Sequence, residues 1–306
     1  MRAMTGRGAK PPGQTATLTI VGLGLIGGSL GLAVRQSNLG YRVVGHDRDH
    51  EAATKARKIG AVDAADWNLP AALDGADVVV IATPAQAVES VLRDIAPHLK
   101  PGCLVTDVAS TKSRVLAWAD EILPVGVSFV GGHPMTGKET AGIGSAEAGL
   151  FVGATYCVVA GRRADQATID RVAALATGIG ARPFFVDAAE HDSYVAAVSH
   201  LPFLMSTALV NLTAGSAAWP DLSRLAAGGF RDVTRLASGD PVMHRDICLT
   251  NQESILHWLD RLAGELGDLA RQIRAGDAGL EATFATAKKA RDAWAASREH
   301  SREKPG

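Results

Sequence analysis

A glycine-rich run near the start of the chain constrains the fold more than any other feature. Thr19-Ile20-Val21-Gly22-Leu23-Gly24-Leu25-Ile26-Gly27-Gly28-Ser29-Leu30 holds a G-x-G-x-x-G pattern directly behind a β-rich run and ahead of a helical one. Alone the pattern is common. Here a second β-rich run follows and ends on Asp47, about twenty residues beyond Gly27, the context of a strand–turn–helix that binds a dinucleotide. Gly22 permits the tight turn, Gly24 lets the backbone approach a pyrophosphate, and Gly27 lets the helix lie close to its strand. The first helical residues, Leu25 and Ile26, then offer unpaired N–H groups to the phosphates. Asp47 is expected to accept hydrogen bonds from the adenosine ribose and to repel a 2′-phosphate, which favours NAD over NADP. Arg48 beside it could pair with such a phosphate if Asp47 turned away.

The pattern extends over the first part of the chain. Candidate strands at 17–21, 42–46, 77–82, 103–107, 128–131, 155–160 and 183–186 alternate with Ala-, Leu- and Arg-rich stretches such as 30–37 and 165–178. Several strands are apolar on consecutive positions, as in Val78-Val79-Val80-Ile81, which suits a parallel strand buried on both faces. The predicted class is α/β: a Rossmann-like, doubly wound sheet over 16–187, followed by an all-helical domain over 188–290. The flanks are a leader at 1–15 and a charged tail at 291–306. Within the helical part, 196–212 reads as one buried helix. From 241 to about 274 a second, longer one is predicted, with Ile247, Ile255, Leu259, Leu262, Leu266, Leu269 and Ile273 recurring mostly at three- or four-residue steps. A helix of that length calls for a partner surface, so a homodimer through the helical domain is expected.

Composition narrows the function classes. The formal net charge of −1 gives no reason to expect nucleic acid as a partner, and no apolar run is expected to reach the ~18–20 residues of a membrane span. Three widely spaced cysteines without a C-x-x-C argue against a disulfide framework or a zinc site and fit a reducing cytoplasm.

Ligands of such sheets bind beyond the carboxyl ends of the strands. Three segments there carry polar groups: Thr83-Pro84, expected to wall the cofactor; Asp107-Val108-Ala109-Ser110-Thr111-Lys112; and Gly131-Gly132-His133-Pro134. His133, expected on a rigid turn just past its strand, is a candidate general base. Ser110 is either a partner of that base or the cap of a helix starting near Thr111. Glu190, His191 and Asp192 look metal-like, but neighbours on a helix point apart, so they are read as a junction cap and polar contact.

Four segments in order, Gly22 to Ser29, His133-Pro134-Met135-Thr136-Gly137-Lys138-Glu139, Ser199-His200-Leu201-Pro202 and Phe230-Arg231-Asp232-Val233-Thr234-Arg235-Leu236-Ala237, resemble the signatures of the prephenate dehydrogenase family, with arogenate dehydrogenases sharing much of the pattern. The resemblance runs from about Leu18 to about Ala275. It departs at Phe203, where many relatives have histidine, and at His244, where tryptophan is common. It implies NAD-dependent oxidative decarboxylation of a cyclohexadienyl substrate in tyrosine biosynthesis. His133 would take the substrate hydroxyl proton, Ser110 would bond near it, Arg235 would hold a carboxylate with Arg231 as second choice, and His200 would line the pocket. Asp240 would either approach a substrate ammonium, as arogenate has, or cap the helix that begins at Pro241. Neither an ACT-type regulatory domain nor a chorismate mutase segment is expected. A β-hydroxyacid dehydrogenase is disfavoured by the absence of lysine from 188–202, and a non-catalytic binding module by the presence of Ser110, His133, His200 and Arg235 together.

Overall fold

The computed structural model describes residues 15–303 apart from Asn38 and Glu139, so most of the expected leader, the end of the tail and one residue of the His133 motif lie outside the described residues. Eight described strands form one sheet in the order β3-β2-β1-β4-β5-β6-β7-β8. They are β1 (Ala16–Val21), β2 (Tyr41–His46), β3 (Ala64–Ala65), β4 (Val78–Ile81), β5 (Leu104–Asp107), β6 (Ser128–Pro134), β7 (Thr155–Ala160) and β8 (Arg182–Phe185). The first six follow the order of dinucleotide-binding sheets. The sheet helices are α1 (Leu25–Gln36), α2 (His50–Lys58), α3 (Leu69–Leu73), α4 (Val88–Ile95), α5 (Ser113–Ile122) and α6 (Gln166–Gly178).

The consecutive apolar runs have the predicted cause. In β4, Val78 and Val80 pack into one core with Leu18, Ile20, Leu30, Val34, Val172 and Leu175. Val79 and Ile81 face the other, with Val88, Leu92, Ile95, Val105, Val115 and Phe129. Each such buried side chain contributes about 1.5–3 kcal/mol. β3 escaped prediction because two residues show no period.

One strand departs from the parallel plan. β7 runs antiparallel to β6, pairing His133 with Cys157 and Pro134 with Tyr156. Between them, the described residues of 135–154 contain the 3₁₀ turns Ile143–Ser145 and Ala148–Phe151 and no crossover helix, so the chain returns alongside β6. β6 pairs with β5 only as far as Val130. Beyond that point a proline is tolerated, because one edge of the strand needs no donor.

Helices follow β8: α7 (Ala188–Val195), a π turn (Ala196–His200), α8 (Leu201–Ala214), α9 (Trp219–Leu225), α10 (Gly228–Thr234), α11 (Pro241–Thr250), α12 (Gln252–Ala275) and α13 (Leu280–Glu303). The helix predicted from 241 to 274 is thus two helices, broken at Asn251. The predicted helix at 196–212 is the later part of a longer helical run, and the expected tail is helical to Glu303. The run Ala188–Ala214 is long and apolar enough, by length and composition, to cross a membrane, contrary to expectation. Yet its His191, Asp192, His200 and Ser206 are buried in the protein, while Val198, Met205 and Leu212 are exposed.

By packing, the chain forms two compact units, one ending at Gln252 and the other beginning at Glu253. Helices α7 to α11 therefore belong with the sheet. In the second unit, the turn between α12 and α13 is closed by a bond from the Asp277 N–H to the Gln272 carbonyl (3.0 Å). The Thr283 hydroxyl adds a bond to the Gln272 side chain (3.2 Å).

Candidate active site

The glycine loop between β1 and α1 has the backbone its sequence implies. Gly22 sits at φ +99°, where a side chain would be strained, and a Cβ on Gly27 would run into the Gly22 carbonyl, whereas Gly24 faces open space. A cavity of about 560 Å³ opens beside it, lined by Leu23, Gly24, Asp47, Lys55 and the 141–144 segment among others. The Asp47 carboxylate accepts from the Leu23 N–H at 2.6 Å and the Asp49 N–H at 2.8 Å, which holds it at this cavity. Arg48 is turned to Asp94 (3.6 Å) and is largely exposed. Leu25 and Ile26 open α1 with Gly24 as N-cap, and no side chain covers their N–H groups. Thr83 and Pro84 follow β4, and the Thr83 hydroxyl is buried without a partner, as a wall awaiting a ligand would be. An open glycine, a carboxylate held at the cavity and an orphaned hydroxyl fit a dinucleotide.

His133 lies within β6, not on the expected turn, because the pairing with β7 carries the strand through Pro134. It is 8% exposed. Burial, assisted by His191, Lys112 and His200 nearby, pushes its pKa well below the usual histidine value, so it is neutral at physiological pH. The preceding peptide is clamped on both sides. Asp107 accepts from the Gly132 N–H (3.1 Å), Lys112 donates to the Gly132 carbonyl (2.8 Å), and Lys112 and Asp107 form a fully buried ion pair. Sequence reading missed this brace, since a lysine in the loop after a strand ordinarily faces solvent.

His133 Nδ1 lies 2.9 Å from His191 Nε2, and His191 Nδ1 lies 2.8 Å from Asp192 Oδ1. Asp192 also accepts from the N–H groups of Lys112 (2.7 Å) and Ser113 (2.8 Å), capping α5. Burial pushes its carboxyl up, but the bonds from His191, Ser113 and Lys112 together hold it below the ordinary range. Asp192 is thus the junction cap that the sequence suggested, and Ser110 is not a cap: α5 starts at Ser113, with Ser110 half-buried in the loop before it.

His200 sits in the π turn, its Nδ1 3.4 Å from the Asn251 amide nitrogen, which also donates to the Asp192 carbonyl (2.8 Å). These bonds explain the break between α11 and α12: Asn251 leaves helical geometry to reach two groups of the site. With Nδ1 as acceptor, His200 carries its proton on Nε2, which is buried without a partner. Burial lowers the His200 pKa to about 4 against the pull of Asp192. His244 stacks on Phe203 at 4.1 Å, and Phe203 tilts against His200, so the two departures from the family pattern are neighbours. The remaining predicted residues are more exposed. Arg235 opens a 3₁₀ turn after α10, Arg231 pairs with Asp232 at 3.1 Å, and Asp240 caps α11 through the Met243 N–H at 2.7 Å.

Sheet order, the glycine loop, the carboxylate at its cavity and a buried neutral histidine in the sheet define a nicotinamide-dependent dehydrogenase with a helical C-terminal part. Comparison with known proteins narrows the class. The family model described as "Prephenate dehydrogenase, nucleotide-binding domain" matches residues 30–184, and "Prephenate dehydrogenase, dimerization domain" matches 187–286. Prephenate dehydrogenase of Bacillus subtilis is 37% identical over 279 residues, covering 90% of this chain and 75% of that protein. The structure of Aquifex aeolicus prephenate dehydrogenase with hydroxyphenyl propionate and NAD+ superposes with a TM-score of 0.86 at 27% identity, over 92% of this chain and 99% of that one. Synechocystis arogenate dehydrogenase superposes at 0.79 with 31% identity, over 91% and 99%. The chain belongs to the prephenate dehydrogenase family, and it is an NAD-dependent enzyme.

Proposed function

We propose that the protein oxidatively decarboxylates prephenate to 4-hydroxyphenylpyruvate in tyrosine biosynthesis, in the cytoplasm, with His133 as the general base. The observation that carries the assignment of the base is its geometry: a buried, neutral imidazole held by the clamped Gly132 peptide on the strand whose neighbours shape the cofactor loops. NAD, when bound, would supply the acceptor for a hydride from the carbinol carbon. His133 takes the proton of the same carbon's hydroxyl, Ser110 helps to place that hydroxyl, and loss of carbon dioxide then aromatises the ring. The unspent Nε2–H of His200 is available to a substrate oxygen. Arg235, or failing it Arg231, meets a carboxylate, for which a guanidinium is well shaped. Residues 16–187 act as the dinucleotide-binding domain and 188–290 as the substrate and dimerisation domain of a homodimer.

Arogenate is the second reading, favoured by the likeness to the Synechocystis enzyme. An Asp240 occupied as a helix cap lends that reading no support. Side-by-side assays of NAD reduction with the two substrates decide it. Prephenate is expected to turn over, and NAD to exceed NADP in kcat/KM by at least an order of magnitude, about 1.4 kcal/mol. Reduction with arogenate alone would reassign the substrate, and comparable rates with NADP would give Arg48 the role denied to it here.

A further inference from the structure

Asp192, His191 and His133 stand in one line of hydrogen bonds, each linked to the next at 2.8 or 2.9 Å and all buried. The direction of this line follows from elementary donor and acceptor rules. An ionised carboxylate only accepts, so His191 must donate from Nδ1; the reverse would press a nitrogen lone pair against Oδ1. A neutral His191 then has a bare Nε2, which obliges His133 to donate from Nδ1. The remaining nitrogen of His133, Nε2, is left with its lone pair free. We propose that His191 and Asp192 are positioning residues that fix His133 in its base-competent tautomer and receive, through His133, the proton taken from the substrate. The proposal rests on the reading of His133 as the base.

The proton path balances. The substrate hydroxyl proton bonds to His133 Nε2, and the proton on His133 Nδ1 passes to His191 Nε2. His133 is again neutral, and His191 carries both N–H groups with its positive charge beside the Asp192 carboxylate. The charged groups around the line favour this transfer. His133 faces Lys112 from the β5–α5 loop and His200 from the π turn, both of which oppose a cation there, while His191 faces Asp192. Asp107 is already paired with Lys112. When the carboxylate leaves the ring as carbon dioxide, the bond's electron pair enters the ring and the former carbinol oxygen becomes a phenolate. The same path run backwards returns the proton to it. The proton is borrowed and given back, with none released overall, so a reversible store is what the reaction requires.

The test uses the full-length enzyme saturated with NAD. First, the histidines of the wild-type protein are labelled with ¹⁵N, and the His133 resonances are assigned by comparison with His133→Asn. The imidazole is expected to carry its proton on Nδ1 with a bare Nε2, and a proton on Nε2 would overturn the proposal. Second, kcat and its pH profile are measured for three variants. His133→Asn should lose about 10²–10⁴-fold in kcat. His191→Asn and Asp192→Asn should lose about 10- to 100-fold, less than loss of the base itself, with KM for NAD unchanged. In Asp192→Asn the acid limb of the profile should also move to lower pH, because the store has lost its counter-charge. Asparagine keeps an oxygen for the α5 cap, so a purely structural role would change thermal stability and leave the limb in place. An unmoved limb with wild-type kcat in both relay variants, alongside a crippled His133→Asn, overturns the relay alone. Wild-type turnover in His133→Asn overturns the base and the relay together.

Discussion

His200 is a residue whose burial has a consequence for the whole protein. Its pKa falls from the ordinary 6.5 to about 4 because the protonated ring would be desolvated. The unfolded chain takes up a proton as pH drops through 6.5, and the native protein does not until about 4. Stability conferred by the neutral ring is therefore complete above pH 6.5 and declines toward pH 4, by about 1.4 kcal/mol for each pH unit in that window. His133 is shifted in the same direction and adds to the decline. Urea midpoints at pH 7 and pH 5 should differ markedly in the wild type and less in His200→Gln; parallel pH dependences would place the acid sensitivity elsewhere. At this scale the sequence was legible where spacing dictates backbone, as at Gly22 and Gly27, whose turn and close approach stand as read; the roles expected of Asp47, His133 and His200 rest on the proposal above. The link from His191 to His133, the Lys112–Asp107 pair and the bonds of Asn251 were passed over. His191 and Asn251 act on partners more than fifty residues away in the chain, and although Lys112 and Asp107 are only five apart, no local pattern marks their pair as buried.

Among the elements, the strands were read nearly as they stand, because apolar runs buried on two faces leave a dense signal. Two features failed for a common reason, namely that tertiary bonds override a local pattern. β6 continues through a Gly-His-Pro stretch that reads as a turn, since β7 supplies a ladder there. The helix from 241 breaks at Asn251, inside the one eight-residue gap of an apolar series that otherwise runs at helical steps, since the Asn251 amide is needed elsewhere. The start of α11 has a testable role. Asp240 bonds the Met243 N–H, so Asp240→Ala should destabilise the protein by about 1 kcal/mol, and Asp240→Asn by much less, with the ratio of prephenate to arogenate activity the same in both. A selective fall in arogenate turnover with unchanged melting would instead put this carboxylate at the substrate.

The molecule as a whole leaves apolar surface uncovered. In the first unit Val198, Met205 and Leu212 are exposed along one helical run; in the second Leu256, Leu266, Ile273, Phe284 and Trp294 are exposed on α12 and α13. Isolated apolar residues are ordinary on a surface, but repetition along helices points to association. Light scattering at micromolar concentration should give about twice the chain's 31.8 kDa, and a monomer mass would leave these faces without a purpose. The sequence periodicity raised the same expectation of a homodimer, which this measurement tests. How the chain divides was harder to foresee, because the change from strands to helices near 187 is plain in the sequence while the packing of α7 to α11 with the sheet is not.

The Asp192 carboxylate starts a helix with one oxygen and, with the other, both starts the same helix and meets His191. Asparagine, with a single acceptor oxygen, would keep one of the two bonds to the helix and surrender the charge. In a lineage of such chains, change at this position therefore touches the start of α5 and the imidazole together.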